Sequence, residues 1–223
     1  MNQNQRLNKI LIASLILFLS VFIIFLNFRL VSFDLEFYNK EFEQYNPDVN
    51  DSLGTAEDLL TYLQSSSAGE EYIASFNEEE VSHLKDVKNL IQLSFWILYA
   101  SAFLLIIFSV LLYNLNKQNK IEFARKKGTV LIGGGLLTLI LIGVFRICLI
   151  NFKSVFTKFH QIFFAQGGWQ FPPDYLLVRL FPEKFFIDVI HLIVFRILIT
   201  AVILLIIGVI INSAQKKIKK VLK

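Results

Sequence analysis

Four apolar blocks, from about Ile10 to Leu30, Leu90 to Leu115, Gly128 to Ile150 and Phe186 to Ile211, constrain this chain more than any other feature. Each is near or above the roughly 20 residues that a helix needs to cross the hydrocarbon core of a bilayer. Within that core every backbone N–H and C=O must find a partner in the protein, and inside one segment only a helix provides it. The expected fold is therefore an all-α integral membrane protein with four transmembrane helices. Composition agrees, with 55% hydrophobic and 18% charged residues. No internal repeat, low-complexity tract or stretch large enough for a separate soluble domain stands out, so residues 1–223 read as one membrane domain. The first block is too long for a signal peptide, and NFRLVSF offers no small-residue cleavage site, so it is expected to remain as an anchor.

Basic residues near the block ends give the orientation. Arg6 and Lys9 precede the first block, and Lys117, Lys120, Arg125, Lys126 and Lys127 lie between the second and third. Lys216, Lys217, Lys219, Lys220 and Lys223 follow the fourth. These segments read as cytoplasmic, which puts both termini inside a plasma membrane. The segments from Val31 to Asn89 and from Phe152 to Phe185 then form an extracytoplasmic helical cap, about residues 31–89 and 152–185. The net charge of +4 is an orientation signal, and no basic patch with interleaved aromatics suggests a nucleic-acid partner. A single cysteine, Cys148, excludes an internal disulfide and a Cys-rich metal site.

The cap segments carry their own helical signals. FDLEFYNKEFEQY brings Phe33, Phe37, Tyr38, Phe42 and Tyr45 near one face of a short helix that Pro47 is expected to stop. TAEDLLTYLQ reads as a second helix with Thr55 as N-cap, and SSSAGE as a flexible turn. Asn77 followed by Glu80 is a further N-cap signature, and the pattern continues unbroken into the second block. His83 is thus expected about 10 Å, two turns, above the point where that helix enters the membrane. Phe152, Phe156, Phe159, Phe163 and Phe164 recur at helical spacing around His160, the pattern of an amphipathic helix at a membrane surface with an ionisable ring on its apolar side.

FNEEEVSHLKDVKNL and FTKFHQIFFAQGGWQFPPDYLLVRLFPEKFF together resemble the two signature blocks of the lipoprotein intramolecular transacylase family, Lit, of Gram-positive bacteria. The likeness extends more weakly to FYNKEFEQYN and DLLTYLQ, so it spans the chain. QGGWQF departs from it with two glycines before the tryptophan, so no side-chain role is expected at Gly167 or Gly168. The resemblance implies a four-helix membrane acyltransferase acting on diacylglyceryl lipoproteins at the outer leaflet. The sn-2 acyl chain moves onto the N-terminal cysteine amine and leaves the lyso form. No cofactor is implied, and the nucleophile belongs to the substrate, so the protein supplies positioning, proton transfer and oxyanion stabilisation.

His83 and His160 are the candidates for those last two tasks. An α-amino group of pKa about 8 must be neutral to attack, and imidazole in a low-dielectric surround suits its deprotonation. His160 is the first choice as base and His83 as oxyanion donor, although the two roles are exchangeable on sequence grounds; interfacial packing is the bland reading of both. Arg146 and Arg196 lie within apolar blocks, where a charge should face the bundle interior or a wet cavity, and are candidates to grip the substrate ester. Asp86, three residues after His83, is a candidate to orient that ring, and Trp169 a candidate substrate contact that also anchors its stretch with Pro172 and Pro173. His191 reads as a packing residue and Cys148 as a small core residue. The alternatives are a non-catalytic membrane subunit that binds lipoproteins and a metal-dependent lipid hydrolase using His83, His160 and His191. The latter lacks a tight ligand spacing. A transporter would show repeats or broken spans, and an acyl-carrier role for Cys148 would require an adjacent base.

Overall fold

The computed structural model describes residues 3–45 and 51–221. Among them the chain forms eight α-helices: α1 (Gln3–Ser32), α2 (Leu35–Tyr45), α3 (Ser52–Gln64), α4 (Glu78–Asn116), α5 (Lys120–Cys148), α6 (Phe152–Phe163), α7 (Leu176–Leu180) and α8 (Glu183–Val221). Short 3-10 turns at Glu70–Ile73 and Leu149–Asn151 lead into α4 and α6. The four apolar blocks fall in α1, α4, α5 and α8, each long and apolar enough to span a membrane. Their outer faces carry large exposed apolar side chains such as Phe103 (63%), Ile106 (65%), Ile140 (62%) and Ile210 (61%). A continuous apolar surface of this kind is untenable in water and natural against lipid tails. The chain is an all-α integral membrane protein.

Two compact units divide the chain, each built from several segments. The first comprises Met1–Asn27, Ile97–Phe145 and Val194–Lys223. Lipid provides little hydrophobic drive for helix association, so close packing at small residues has to supply it. A Cβ on Gly208 would lie 2.8 Å from the carbonyl oxygen of Gly128, and one on Gly135 would lie 2.8 Å from that of Ala201, so α5 and α8 touch backbone to backbone. On the facing side Ser20 Oγ donates to the Gly134 carbonyl at 3.1 Å, tying α1 to α5. Leu11 and Leu15 of α1, Leu112 of α4 and Val130 of α5 form a small buried cluster. Asn116 Nδ2 donates to Asn8 Oδ1 at 2.8 Å and Lys126 Nζ to Asn116 Oδ1 at 2.5 Å, a polar clasp among the same three helices.

The second unit, Phe28–Trp96 with Arg146–Ile193, has a conventional apolar core. Tyr38, Phe42, Phe181 and Phe185 stack with ring centroids 5.1 to 6.2 Å apart. Tyr38 is buried yet satisfied, because its hydroxyl donates to the Ser32 carbonyl at 2.8 Å. The helix expected at 33–45 is present as α2; Pro47, expected to end it, lies outside the described residues. The start expected for α3 needs correction. Thr55 is not the N-cap: Asp51 is, with its carboxylate accepting from the Gly54 N–H at 3.3 Å, while Thr55 N–H already bonds to the Asp51 carbonyl at 3.0 Å. The SSSAGE turn is fastened as well, by Lys88 Nζ donating to the Ala68 carbonyl at 2.7 Å and by a Lys85–Glu70 ion pair at 2.7 Å.

Candidate active site

His83 sits in the second turn of α4, before the apolar run that begins near Leu90, and the start of that helix is set by a complete capping box. Asn77 Oδ1 accepts from the N–H groups of Glu79 and Glu80, each at 3.0 Å, and Glu80 Oε2 accepts in return from the Asn77 N–H at 2.9 Å. His160 lies in the last turn of α6, a helix opened by Asn151, whose side chain accepts from the Ser154 N–H at 3.1 Å. Although α6 is amphipathic, His160 is 9% exposed and faces inward, and His83 is 8% exposed. Ile162 (71%) and Phe163 (50%) stand out on the other face. The rings of His83 and His160 are nearly parallel, with centroids 6.1 Å apart.

Aromatic rings enclose the pair. Phe164 and Phe171 approach His83 at 4.7 and 5.5 Å, and Phe156, Trp169, Phe164 and Phe159 approach His160 at 4.1, 4.8, 5.3 and 5.4 Å. This surround excludes water and disfavours a charged imidazole. Burial therefore lowers the pKa of His83 to about 4, helped by the neighbouring His160 and opposed by Asp86. Burial lowers the pKa of His160 as well, against the effect of its backbone hydrogen bond. Both rings are neutral at pH 7.

One hydrogen bond decides the tautomer of His160. Its Nδ1 lies 2.8 Å from the Phe156 carbonyl, which can only accept, so Nδ1 carries the proton and Nε2 of the neutral ring keeps a lone pair. His83 differs, because its Nδ1 is buried and has no partner in the protein. Such an orphan is costly unless a ligand meets it.

Carboxylates of α4 hold down the segment that carries the aromatic walls. Glu80 is 1% exposed, and its second oxygen, Oε1, accepts from the Leu177 N–H at 2.7 Å. Glu79 accepts from the Tyr175 hydroxyl at 3.0 Å, and Asp86 from the Gln166 amide at 2.6 Å. Between these anchors the chain reverses at Gly167 (φ +87°) and Gly168 (φ +75°), left-handed conformations that a side chain would strain. The two glycines are thus required by the backbone. Glu80 and Glu79 were not among the sequence candidates; the capping box marked Glu80, but only the tertiary contact shows its second use. Replacing Glu80 with Gln sets an N–H₂ group against one of two N–H donors. It is expected to cost about 1.5–3 kcal/mol, the scale of a lost hydrogen bond to a charged group, and to speed proteolysis between Gly167 and Tyr175. Limited proteolysis with mass mapping measures this.

Asp86 bonds to Gln166 and acts on His83 through its charge, and Trp169 lies against His160. Arg146 is exposed in the last turn of α5, a position that lets a long side chain reach toward the surface. Arg196 is half-buried and belongs to the other unit. His191 is exposed beside a cavity of about 180 Å³ with Leu149, Phe152 and Ile187. Cys148, expected in a core, is exposed. Among the described residues no three His, Cys, Asp or Glu side chains converge as metal ligands do.

Four membrane-length helices and a buried histidine pair in an aromatic box define a polytopic membrane protein. Residues 7–186 match the family model described as lipoprotein intramolecular transacylase Lit, and the chain belongs to that family of acyltransferases. Solved structures agree in fold. The chain is similar to the membrane-integral Lit of Bacillus cereus with a TM-score of 0.83 and 22% identity, over 96% of this chain and 99% of that one. Two variants of the Bacillus cereus protein, with a histidine replaced by arginine or by alanine, match with TM-scores of 0.79 and 0.78 at 21% and 20% identity. Each covers 96% of this chain, and 95% and 97% of the variant chains. No curated protein matches the sequence.

Proposed function

We propose that this transacylase moves the sn-2 acyl chain of a diacylglyceryl lipoprotein onto the amine of its N-terminal cysteine. The amine nitrogen attacks the ester carbonyl, the bond from that carbon to the sn-2 oxygen breaks, and the amine proton ends on the released hydroxyl. Water and cofactor take no part, so the product is an isomer of the substrate. The observation that carries the reading is the unprotonated Nε2 of His160, set by the Nδ1 bond to Phe156. That lone pair takes the proton from the attacking amine and returns it to the departing oxygen. Support for His83 as donor to the tetrahedral oxyanion comes from its unpartnered Nδ1 beside the stacked His160 ring. Trp169 and Phe171 wall the reacting groups, and Asp86 holds that wall through Gln166. Arg146, in the same unit as the histidines, serves the substrate in this scheme through its ester or glyceryl oxygens.

The charge pattern supports cytoplasmic termini, with the segments from Val31 to Asn89 and from Phe152 to Phe185 facing outside, where an anchored lipoprotein exposes its glyceryl esters. The test is mass spectrometry of a lipoprotein N-terminal peptide from a host with and without the protein. The expected result is a diacylglyceryl peptide replaced by an isobaric species that fragments to N-acylcysteine. An unchanged fragmentation pattern with the protein present rejects the reading.

A pH profile follows from the lowered histidines. The substrate amine has an ordinary pKa near 8, so the rate is expected to rise with pH up to about that value. No histidine limb is expected between pH 6.5 and 8, because both rings are already neutral there. Unfolded histidines take up protons below about pH 6.5, whereas folded His83 does so only near 4. Stability contributed by the neutral pair is therefore complete above the unfolded pKa and is lost as pH falls from about 6.5 toward 4. Thermal melting of the purified protein across that interval checks the sign.

A further inference from the structure

A cavity of about 520 Å³ opens in the first unit between the start of α5 and the end of α8, with Ile12 of α1 on its wall. Its origin is the contact at Gly128 and Gly208, where the backbones meet. Just past that contact the two helices carry long polar side chains and leave a cleft. Arg125, Lys126 and Lys216 line it against the single carboxylate of Glu122, an excess of two positive charges. Glu122 is shared, 2.8 Å from Arg125 and 3.9 Å from Lys126. Ile132 and Val209 make the deeper wall apolar. Asn212 also lines the cleft, but its Oδ1 is buried against Gly128 in the contact between α5 and α8.

We propose that this cleft binds an anionic glycerophospholipid. The phosphate sits on Arg125 and Lys216, and the start of an acyl chain lies on Ile132 and Val209. A cationic rim over an apolar wall fits an amphiphile, whereas a soluble phosphate gains nothing from the wall. Basic pockets between membrane helices recognise lipid headgroups on these terms. The site is remote in sequence from the histidines and does not depend on their role.

Native mass spectrometry of the purified full-length protein in neutral detergent tests the site, with phosphatidylglycerol and phosphatidylcholine of identical chains offered at equal concentration. Two basic contacts are expected to favour the anionic lipid by roughly 30-fold, which is about 2 kcal/mol at 1.4 kcal/mol per tenfold. Arg125→Gln combined with Lys216→Gln should bring the two lipids to near parity. If that double variant fails to fold, Lys216→Gln alone, near the end of α8, should lower the preference by several-fold. Equal binding of both lipids by the native protein, or a preference undiminished in the charge variants, overturns the proposal. Stabilisation by inorganic phosphate equal to that by phosphatidylglycerol, read as melting temperature, overturns it as well.

Discussion

His160→Asn is expected to lower lyso-lipoprotein formation by about 10²-fold or more, the scale of a lost general base. The substitution is mild in every other respect. Asparagine fits within the space of the ring, and its amide can keep the donor bond to the Phe156 carbonyl that His160 makes at 2.8 Å. What disappears is the basic lone pair of Nε2. The loss should fall on kcat with KM little changed, because no binding group is removed. The membrane level of the variant, measured alongside activity, separates this outcome from misfolding. Near-native turnover by a stably inserted His160→Asn protein would remove the proton-transfer role.

His83→Asn should be comparably severe, by about 10²- to 10³-fold, as for removal of an oxyanion-hole donor. Burial lowers the pKa of His83 to about 4, so in the proposed role it works at neutral pH through an N–H and not through a charge. In a dry site a fixed donor matters more than it would in water, because nothing else can stabilise the developing oxyanion. Its losses should also lie in kcat. His191→Asn serves as the control: that ring is exposed on α8, and its replacement should leave the rate within about twofold, as for ordinary surface substitutions. A strong effect at His191 with none at His83 would reverse the assignment.

The membrane fold was legible because it depends on length and hydropathy alone: the four apolar blocks appear within α1, α4, α5 and α8. Local chemistry was legible where one motif left one solution. Asn77 and Glu80 form the expected capping box, and the aromatic spacing around His160 forms α6. The sequence pattern starts α3 after Thr55, whereas the carboxylate of Asp51 reaches the Gly54 N–H and starts the helix a turn earlier. Contacts distant in sequence were not legible at all. Nothing local says that Glu80 spends its second oxygen on Leu177, that Asp86 meets Gln166, or that Phe164 lies over His83. The two glycines before Trp169 look like a missing side-chain function in sequence, and their positive φ values explain them as a reversal of the chain.

The proposed reaction is the direct transfer of one particular chain to one particular amine. A synthetic diacylglyceryl lipopeptide deuterated only in its sn-2 chain, mixed with an unlabelled lipopeptide of different peptide mass and incubated with the purified protein, tests it most directly. The deuterated chain is expected as an amide on its own peptide alone, with no label on the other peptide and no free fatty acid. An amide built from the sn-1 chain, label exchanged between the two peptides, or deuterated fatty acid released to water would contradict the proposed reaction.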